Sequence, residues 1–173
     1  MAKPVKFRSV LTASTVEVGW HYIRVPLKTG EKFPRTRGSR RVICMINGTE
    51  AFPAALMPYD GDFYIVVNKE RRTRLKILAG DKVTVELVTD ESEYGMPMPE
   101  ELQEVMDQDP DGNIAFKKLT PGRQRSMMYY IGKLKDIDKR IHASLIFIEH
   151  LKRNNGQIVH EQLAAELRRP TQF

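Results

Sequence analysis

The stretch Gly19-Trp20-His21-Tyr22-Ile23-Arg24-Val25 decides the fold, because it recurs 42 residues later as Gly61-Asp62-Phe63-Tyr64-Ile65-Val66-Val67. The two copies share Gly, Tyr, Ile and Val, and Gly38 recurs as Gly80 at the same interval. Five identities in a window of about twenty residues exceed the roughly one expected from average composition. A short repeated unit cannot bury its apolar face alone, so two copies predict a barrel with pseudo-twofold symmetry.

The first half of the chain is predicted to be almost entirely β. Five segments rich in β-branched and aromatic residues predict strands, with one or two short extra pieces. Asn47-Gly48 and Asp60-Gly61 are turn signals, and residues 69–78 predict a short helix. The predicted strands are residues 5–12, 18–25, 41–47, 62–67 and 82–88.

Helices are predicted after Met96-Pro97-Met98-Pro99, because alternating prolines cannot supply ladder hydrogen bonds. A helix is expected over 100–108, followed by a loop over 109–113. Thr120 and Asp136 are predicted N-caps of two further helices with apolar residues at helical spacing.

The predicted fold class is therefore α+β, with an N-terminal small β-barrel followed by a C-terminal helical domain; the resemblance described below implies that the barrel is of the double-split type. The predicted boundaries are a barrel over 1–92, a linker over 93–98, a helical domain over 99–156 and a tail over 157–173 with room for one short helix.

Charge is distributed unevenly along the 173 residues, whose net charge is +6. Residues 1–90 hold 16 Lys or Arg against 9 Asp or Glu, a net of +7, and residues 91–111 hold eight acids and no base. A basic half favours an anionic partner, although excess charge of one sign also keeps proteins soluble.

Several function classes find no support in the sequence. The single cysteine, Cys44, excludes an intramolecular disulfide and leaves no thiol cluster for zinc. The N-terminus carries no signal-peptide pattern and no apolar run reaches eighteen residues, so we expect a soluble, cytoplasmic protein. His142, Glu149 and His150 lack the spacing of a zinc helix. No catalytic motif is present, and neither an enzyme nor a cofactor is expected.

Two basic stretches are the candidate ligand-binding residues. They occupy comparable stretches of the two copies, so a symmetric barrel could present both on one face suited to phosphates. The alternative is that these are exposed charges that only keep the protein soluble. Clustering on one face would favour nucleic acid, and dispersion would favour the other readings. The stretches are Arg35, Arg37, Arg40 and Arg41, and Lys69, Arg71, Arg72 and Arg74.

Trp20 and His21 fall on opposite faces of the predicted strand 18–25, because side chains alternate along a strand. We interpret both as packing residues, since lone Trp and His side chains more often pack than bind ligands.

Most of the chain resembles known families. The segments 19–26, 47–48, 60–61 and 80–83 resemble a small bacterial β-barrel domain family of unknown function. Residues 99–156 resemble the YdeI or OmpD-associated family, often labelled bacteriocin protection. In that family the run after the tyrosine-rich helix reads Ala-Lys, three residues, then Thr-Arg. The matching residues here are Phe116, Leu119, Pro121, Ile131, Lys135 and Arg140, whereas Leu134, Lys139 and Ala143 depart from the pattern.

Residues 67–85 also resemble the half-barrel unit of AbrB and MazE type swapped-hairpin proteins, which are dimeric transcription factors. That resemblance implies that both half-units of a double-split barrel lie in one chain. The expected function is a non-catalytic binding protein, with nucleic acid or an acidic protein as partner of the basic barrel. The alternative, implied by the second family, is stress or antimicrobial-peptide protection through protein contacts.

Overall fold

The computed structural model describes residues 3–16, 19–36 and 38–170, which divide into two compact units at 91/92. In the first unit, six strands and two short helices are described. The strands form a closed antiparallel barrel in the order β1-β2-β5-β4-β3-β6. The elements are β1 (Val5–Ala13), β2 (His21–Val25), α1 (Leu27–Gly30), β3 (Arg40–Ile46), β4 (Phe52–Tyr59), β5 (Asp62–Val66), α2 (Lys69–Leu75) and β6 (Lys82–Thr89).

The barrel core is formed by alternate residues of each strand, as the pleat requires. Ile23 of β2 pairs with Ile65 of β5, and both are fully buried. Their neighbours Tyr22 and Tyr64 point to the outside of the barrel. The apolar interior therefore explains why Ile recurs in both copies of the repeat.

The repeat predicted from the sequence is confirmed in the order of the elements, which is strand, strand, helix, strand in each copy. A shift of 42 residues carries Leu27, the first residue of α1, onto Lys69, the first residue of α2. Gly38 and Gly80 have φ angles of 84° and 94°, which side chains disfavour. The repeated glycines are thus required by the backbone.

Strand β4 is the main departure from the predicted barrel, since no strand was predicted over residues 52–59. Pro53 and Pro58 obscure it, because proline weakens a strand prediction. In the structure Phe52–Leu56 pair with β3, and Met57–Tyr59 pair with β5. Each part of β4 has one partner strand, so a missing N–H on the other side is tolerated.

The second unit is helical. It contains α3 (Glu100–Gln108), α4 (Pro110–Lys117), α5 (Pro121–Gly132), α6 (Ile137–Arg153) and α7 (His160–Leu167). Thr120 and Asp136 are N-caps as predicted, accepting from the N–H groups of Arg123 and Lys139. The predicted loop over 109–113 is wrong, because α4 starts at Pro110. Asp109 caps it by accepting from the N–H of Gly112 at 2.9 Å.

The core of the helical unit extends beyond the predicted helical segment at both ends. Tyr94, Met96 and Met98, which lie in the predicted linker, pack against it. At the other end Leu163 of α7 is buried in the same core. No helix among the described residues is long and apolar enough to cross a membrane.

Candidate functional site

The first basic stretch lies at the α1 end of the barrel and is partly engaged in packing. The Arg40 guanidinium donates to the carbonyl of Phe33 and lies 5.6 Å from the ring centre of Phe63. Arg35 is exposed, and its Nε donates to the carbonyl of Gly38 at 3.2 Å. Arg41 is half-buried in β3. Arg37 lies outside the described residues.

One face of α2 directs its arginines into contacts within the barrel. Arg71 lies 3.8 Å over the ring of Phe52, and Arg74 forms an ion pair with Glu50 at 3.2 Å. Burial, together with the charge of Arg74, lowers the pKa of Arg71. The sequence predicted that these two arginines bind phosphates or, alternatively, are exposed charges. In the structure Arg71 packs over the Phe52 ring.

The other face of α2 forms a basic groove of about 560 Å³. Lys69 and Arg72, three residues apart, line it from one face of α2, and Lys76, the residue that follows the helix, lines it as well. Asn68 starts this helix by accepting from the N–H of Arg71 at 2.8 Å. His21 of β2 closes the opposite wall. We call this the basic groove.

The two basic stretches do not share one face. The strands that precede α1 and α2 are antiparallel neighbours, so the helices lie at opposite ends of the barrel. Along β3, Arg40 pairs with Leu56 and Cys44 pairs with Phe52, the ring that Arg71 covers. Four residues of strand separate these positions by about 13 Å. The stretches are not equivalent in the repeat either, because residues 69–74 correspond to 27–32.

A second groove, of about 490 Å³, lies on the outer surface of the barrel. Tyr22, Tyr59 and Tyr64 form its floor, with ring centres 5.8 to 6.1 Å apart in edge-to-face arrangements. Trp20 and Val16 line its wall, and they are 53% and 89% exposed. Exposed apolar groups that cluster in this way mark interaction sites on soluble proteins. We call this the aromatic groove.

Neighbouring residues of the chain at the start of β2 line the two grooves. His21 lines the basic groove, whereas its chain neighbours Trp20 and Tyr22 line the aromatic groove. The N–H of Val67 donates to the carbonyl of His21 at 2.9 Å, which places the start of α2 next to this point. The grooves share no lining residue, and His21 lies on the face of β2 opposite Tyr22. They also approach each other along the chain at the end of β5, where Val66 lines the aromatic groove and Lys69, three residues later, lines the basic groove.

The repeat shows that the basic groove is a specialised feature. At the α1 end, the position equivalent to His21 is Phe63, and the position equivalent to Arg72 is Gly30. Phe63 packs so closely on Gly30 that an added Cβ would lie 2.2 Å from its ring. The same place in the fold is thus filled by an apolar contact at one end and left as an open, charged groove at the other.

The two candidates in the helical unit differ in role. Arg140 donates from Nε to the carbonyl of Leu134 at 2.6 Å and from Nη2 to the carbonyl of Gly132 at 3.1 Å. Its Nη1 lies 3.6 Å from the Glu101 carboxylate. Arg140 therefore holds the end of α5 against α6 and α3. Lys135 is exposed between these helices.

The other reactive groups do not line either groove. Cys44 is fully buried, and burial raises the pKa of its thiol to about 12. Within the described residues, no group of three or more His, Cys, Asp and Glu side chains is arranged to hold a metal ion. His150 is buried against Glu166 in the helical core.

The aromatic groove was missed from the sequence. Trp20 was interpreted as a packing residue, yet half of it is exposed, whereas the buried residues of β2 are Ile23 and Val25. One signal was available, since alternation puts Trp20 and Tyr22 on the face opposite Ile23. Tyr59 could not be added to them, because β4 was not predicted.

Comparison with known families divides the chain where the structure does. Residues 7–87 match a domain of unknown function, DUF1905. Residues 95–154 match the family described as bacteriocin-protection, YdeI or OmpD-associated. Two family matches cover most of the chain. The DUF1905 match spans nearly all of the six-stranded barrel, and the YdeI or OmpD-associated match spans α3 to α6. No curated protein matches the chain.

Proposed function

We propose that this chain is a non-catalytic binding protein whose DUF1905-like barrel binds an anionic ligand, with nucleic acid as the favoured class. The observation that supports it is the basic groove, which Lys69 and Arg72 of α2, Lys76 and His21 line together. Lysine and arginine groups neutralise phosphates and release counterions, which gives affinity with little sequence dependence. The net charge of +7 on residues 1–90 acts in the same direction.

Fewer residues support this proposal than the eight candidate ligand-binding residues predicted from the sequence. Lys69 and Lys76 are exposed, whereas Arg72 donates to the carbonyl of Val67 at 2.6 Å and has its remaining nitrogens for a ligand. Arg71 and Arg74 make contacts within the barrel. The stretch around Arg40 lies at the opposite end, and this dispersion is the outcome that, by the criterion drawn from the sequence, favours the readings other than nucleic acid. The proposal therefore rests on the basic groove alone.

The proposal is tested by removing two ligand-facing charges. We expect Lys69→Gln with Lys76→Gln to weaken binding to a labelled 12-nucleotide strand and to a 12-base-pair duplex, and to lower the slope of log affinity against log salt by up to about two. Fluorescence anisotropy between roughly 50 and 200 mM salt measures both. The fold should tolerate the change, because exposed charges contribute little to stability.

A matched control is available at the other end of the barrel. Lys28 and Lys32 are exposed residues near α1, and their replacement by Gln removes the same charge. This control should keep most of the affinity and of the salt slope. Equal losses in the two double variants would mean that net charge alone drives binding. If the unmodified protein binds neither oligonucleotide at micromolar concentration and roughly 50 mM salt, the proposal fails.

Protection against an antimicrobial peptide is the second candidate, supported by the description of the family that matches the helical unit. Helix α3 presents Glu100, Glu104 and Asp107 to solvent at helical spacing. An acidic helix face of this kind suits a cationic peptide. Titration with a cationic amphipathic peptide, comparing the protein with a Glu104→Gln, Asp107→Asn variant, distinguishes this candidate.

We also propose that the barrel is of the double-split type seen in AbrB and MazE proteins. The support is the repeated unit, whose second copy carries the residues of that resemblance. A measured structure in which the two copies fail to superpose through a twofold axis would count against this assignment.

A further inference from the structure

We propose that the aromatic and basic grooves form one site for single-stranded nucleic acid, whose bases stack on the exposed rings while its phosphates lie along α2. This deepens the proposed function and rests on it. The supporting geometry is the end of β5, where Val66 lines the aromatic groove and Lys69, three residues later, lines the basic groove.

Stacking needs ring faces that are open to solvent. Trp20 and Tyr59 are each about half exposed, at 53% and 52%, and both line a groove about 490 Å³ in volume. Aromatic side chains beside a cationic track are the arrangement by which proteins hold single strands, since every base has a π face. In a duplex these faces are already stacked on neighbouring bases, so a duplex can use the basic groove alone.

Charge selects the occupant of the aromatic groove. Two carboxylates follow Tyr59 in the chain, Asp60 and Asp62, and both pair with Arg24, at 3.4 and 2.8 Å, so one of their two negative charges is compensated. At the opposite end of β5 the chain leads within three residues from Val66 of this groove to Lys69 of the basic groove. A cationic peptide would be repelled there, whereas a strand of alternating bases and phosphates matches both parts.

The experiment uses Trp20, the single tryptophan of the chain, as its reporter. Titration of the full-length protein with a 12-nucleotide single strand should quench Trp20 fluorescence, and the strand should bind at least about tenfold more tightly than a 12-base-pair duplex of the same sequence. An abasic strand of equal length should bind about as weakly as the duplex, because it keeps the phosphates and lacks the stacking bases.

Variants of Tyr59 separate stacking from folding. Tyr59→Ala should lower affinity for the single strand about tenfold and leave affinity for the duplex unchanged, whereas Tyr59→Phe keeps the ring and should keep the affinity. Circular dichroism checks that both variants fold. Tyr129→Ala, which removes an exposed ring from the helical unit, should have no effect.

The possible outcomes distinguish the two proposals. Binding of neither oligonucleotide removes the proposed function and this inference together. Equal binding of strand, duplex and abasic strand without a change in Trp20 fluorescence overturns the inference and leaves the anion-binding proposal standing. Quenching by a cationic amphipathic peptide, with none by the oligonucleotide, also overturns it and assigns the aromatic groove to a peptide.

Discussion

Cys44 should react with an alkylating reagent at pH 8 about a thousandfold more slowly in the native protein than in urea-denatured protein. The thiolate is the reactive form, and burial raises the thiol pKa from 9.0 to about 12. At a fixed pH of 8, each unit by which the pKa is raised lowers the thiolate fraction about tenfold. Because the chain has one cysteine, mass spectrometry of the intact protein after timed quenching reports this site alone.

The same burial predicts how stability changes at alkaline pH. The pKa of Cys44 is raised in the folded state, so its contribution is fully present below about pH 9 and is lost as the pH rises toward 12. In that window the free energy of unfolding should fall by about 1.4 kcal/mol per pH unit from this group. Cys44→Ala is the control, since it should remove this part of the pH dependence. Native and denatured alkylation rates of similar size would mean that Cys44 is accessible.

The second large effect is expected at the buried contact between α6 and α7. His150 Nε2 accepts from the N–H of Val159 at 3.0 Å, so Nδ1 carries the proton and donates to Glu166 at 3.0 Å. Removing the carboxylate leaves a buried donor unsatisfied. We expect Glu166→Ala to lower the free energy of unfolding by about 3 kcal/mol, and Glu166→Gln to cost less because its side-chain oxygen can still accept.

Lowering the pH should also reduce the stability of the protein through Glu166. Burial opposes the charge of Glu166, but hydrogen bonds from Gln162 and His150 and the charge of Arg153 outweigh it, and the pKa of Glu166 is lowered from 4.5. Its contribution is therefore present above about pH 4.5 and is lost as the pH falls through the lowered folded pKa. Thermal unfolding between pH 3 and pH 6 should show this dependence in the unmodified protein and a weaker one in Glu166→Gln. Identical profiles would contradict it.

The repeat in the sequence was enough to predict most of the barrel. Gly recurs because the backbone has a positive φ at its positions, and Ile and Val recur because their side chains are buried. Both requirements are visible in the sequence. Strand β4 was not found, because Pro53 and Pro58 give a turn-like signal and the pairing that tolerates them is known only from the structure. Helix α4 was not predicted for a related reason, since Asp and Gly, the residue types at 109 and 112, are common in loops.

The candidate site could be predicted only in part. The sequence identified the basic stretch at 69–74, but helical geometry directs Lys69 and Arg72 to one side and Arg71 to the other. Which side faces a groove depends on Phe52 and His21, residues far away in the chain. The aromatic groove could not be predicted for the same reason, because its tyrosines come from β2, β4 and β5, and the pairing of β2 with β5 is known only from the structure.

The pairing of the strands determines how the barrel can close. Within either copy of the repeat, the first two strands pair with each other, but the third has no partner in its own copy: β3 pairs with β4 and β6, and β6 pairs with β3 and β1. A single copy would therefore expose a strand edge on both sides and could close a barrel only with a second molecule. Joining the copies in one chain makes barrel closure independent of protein concentration.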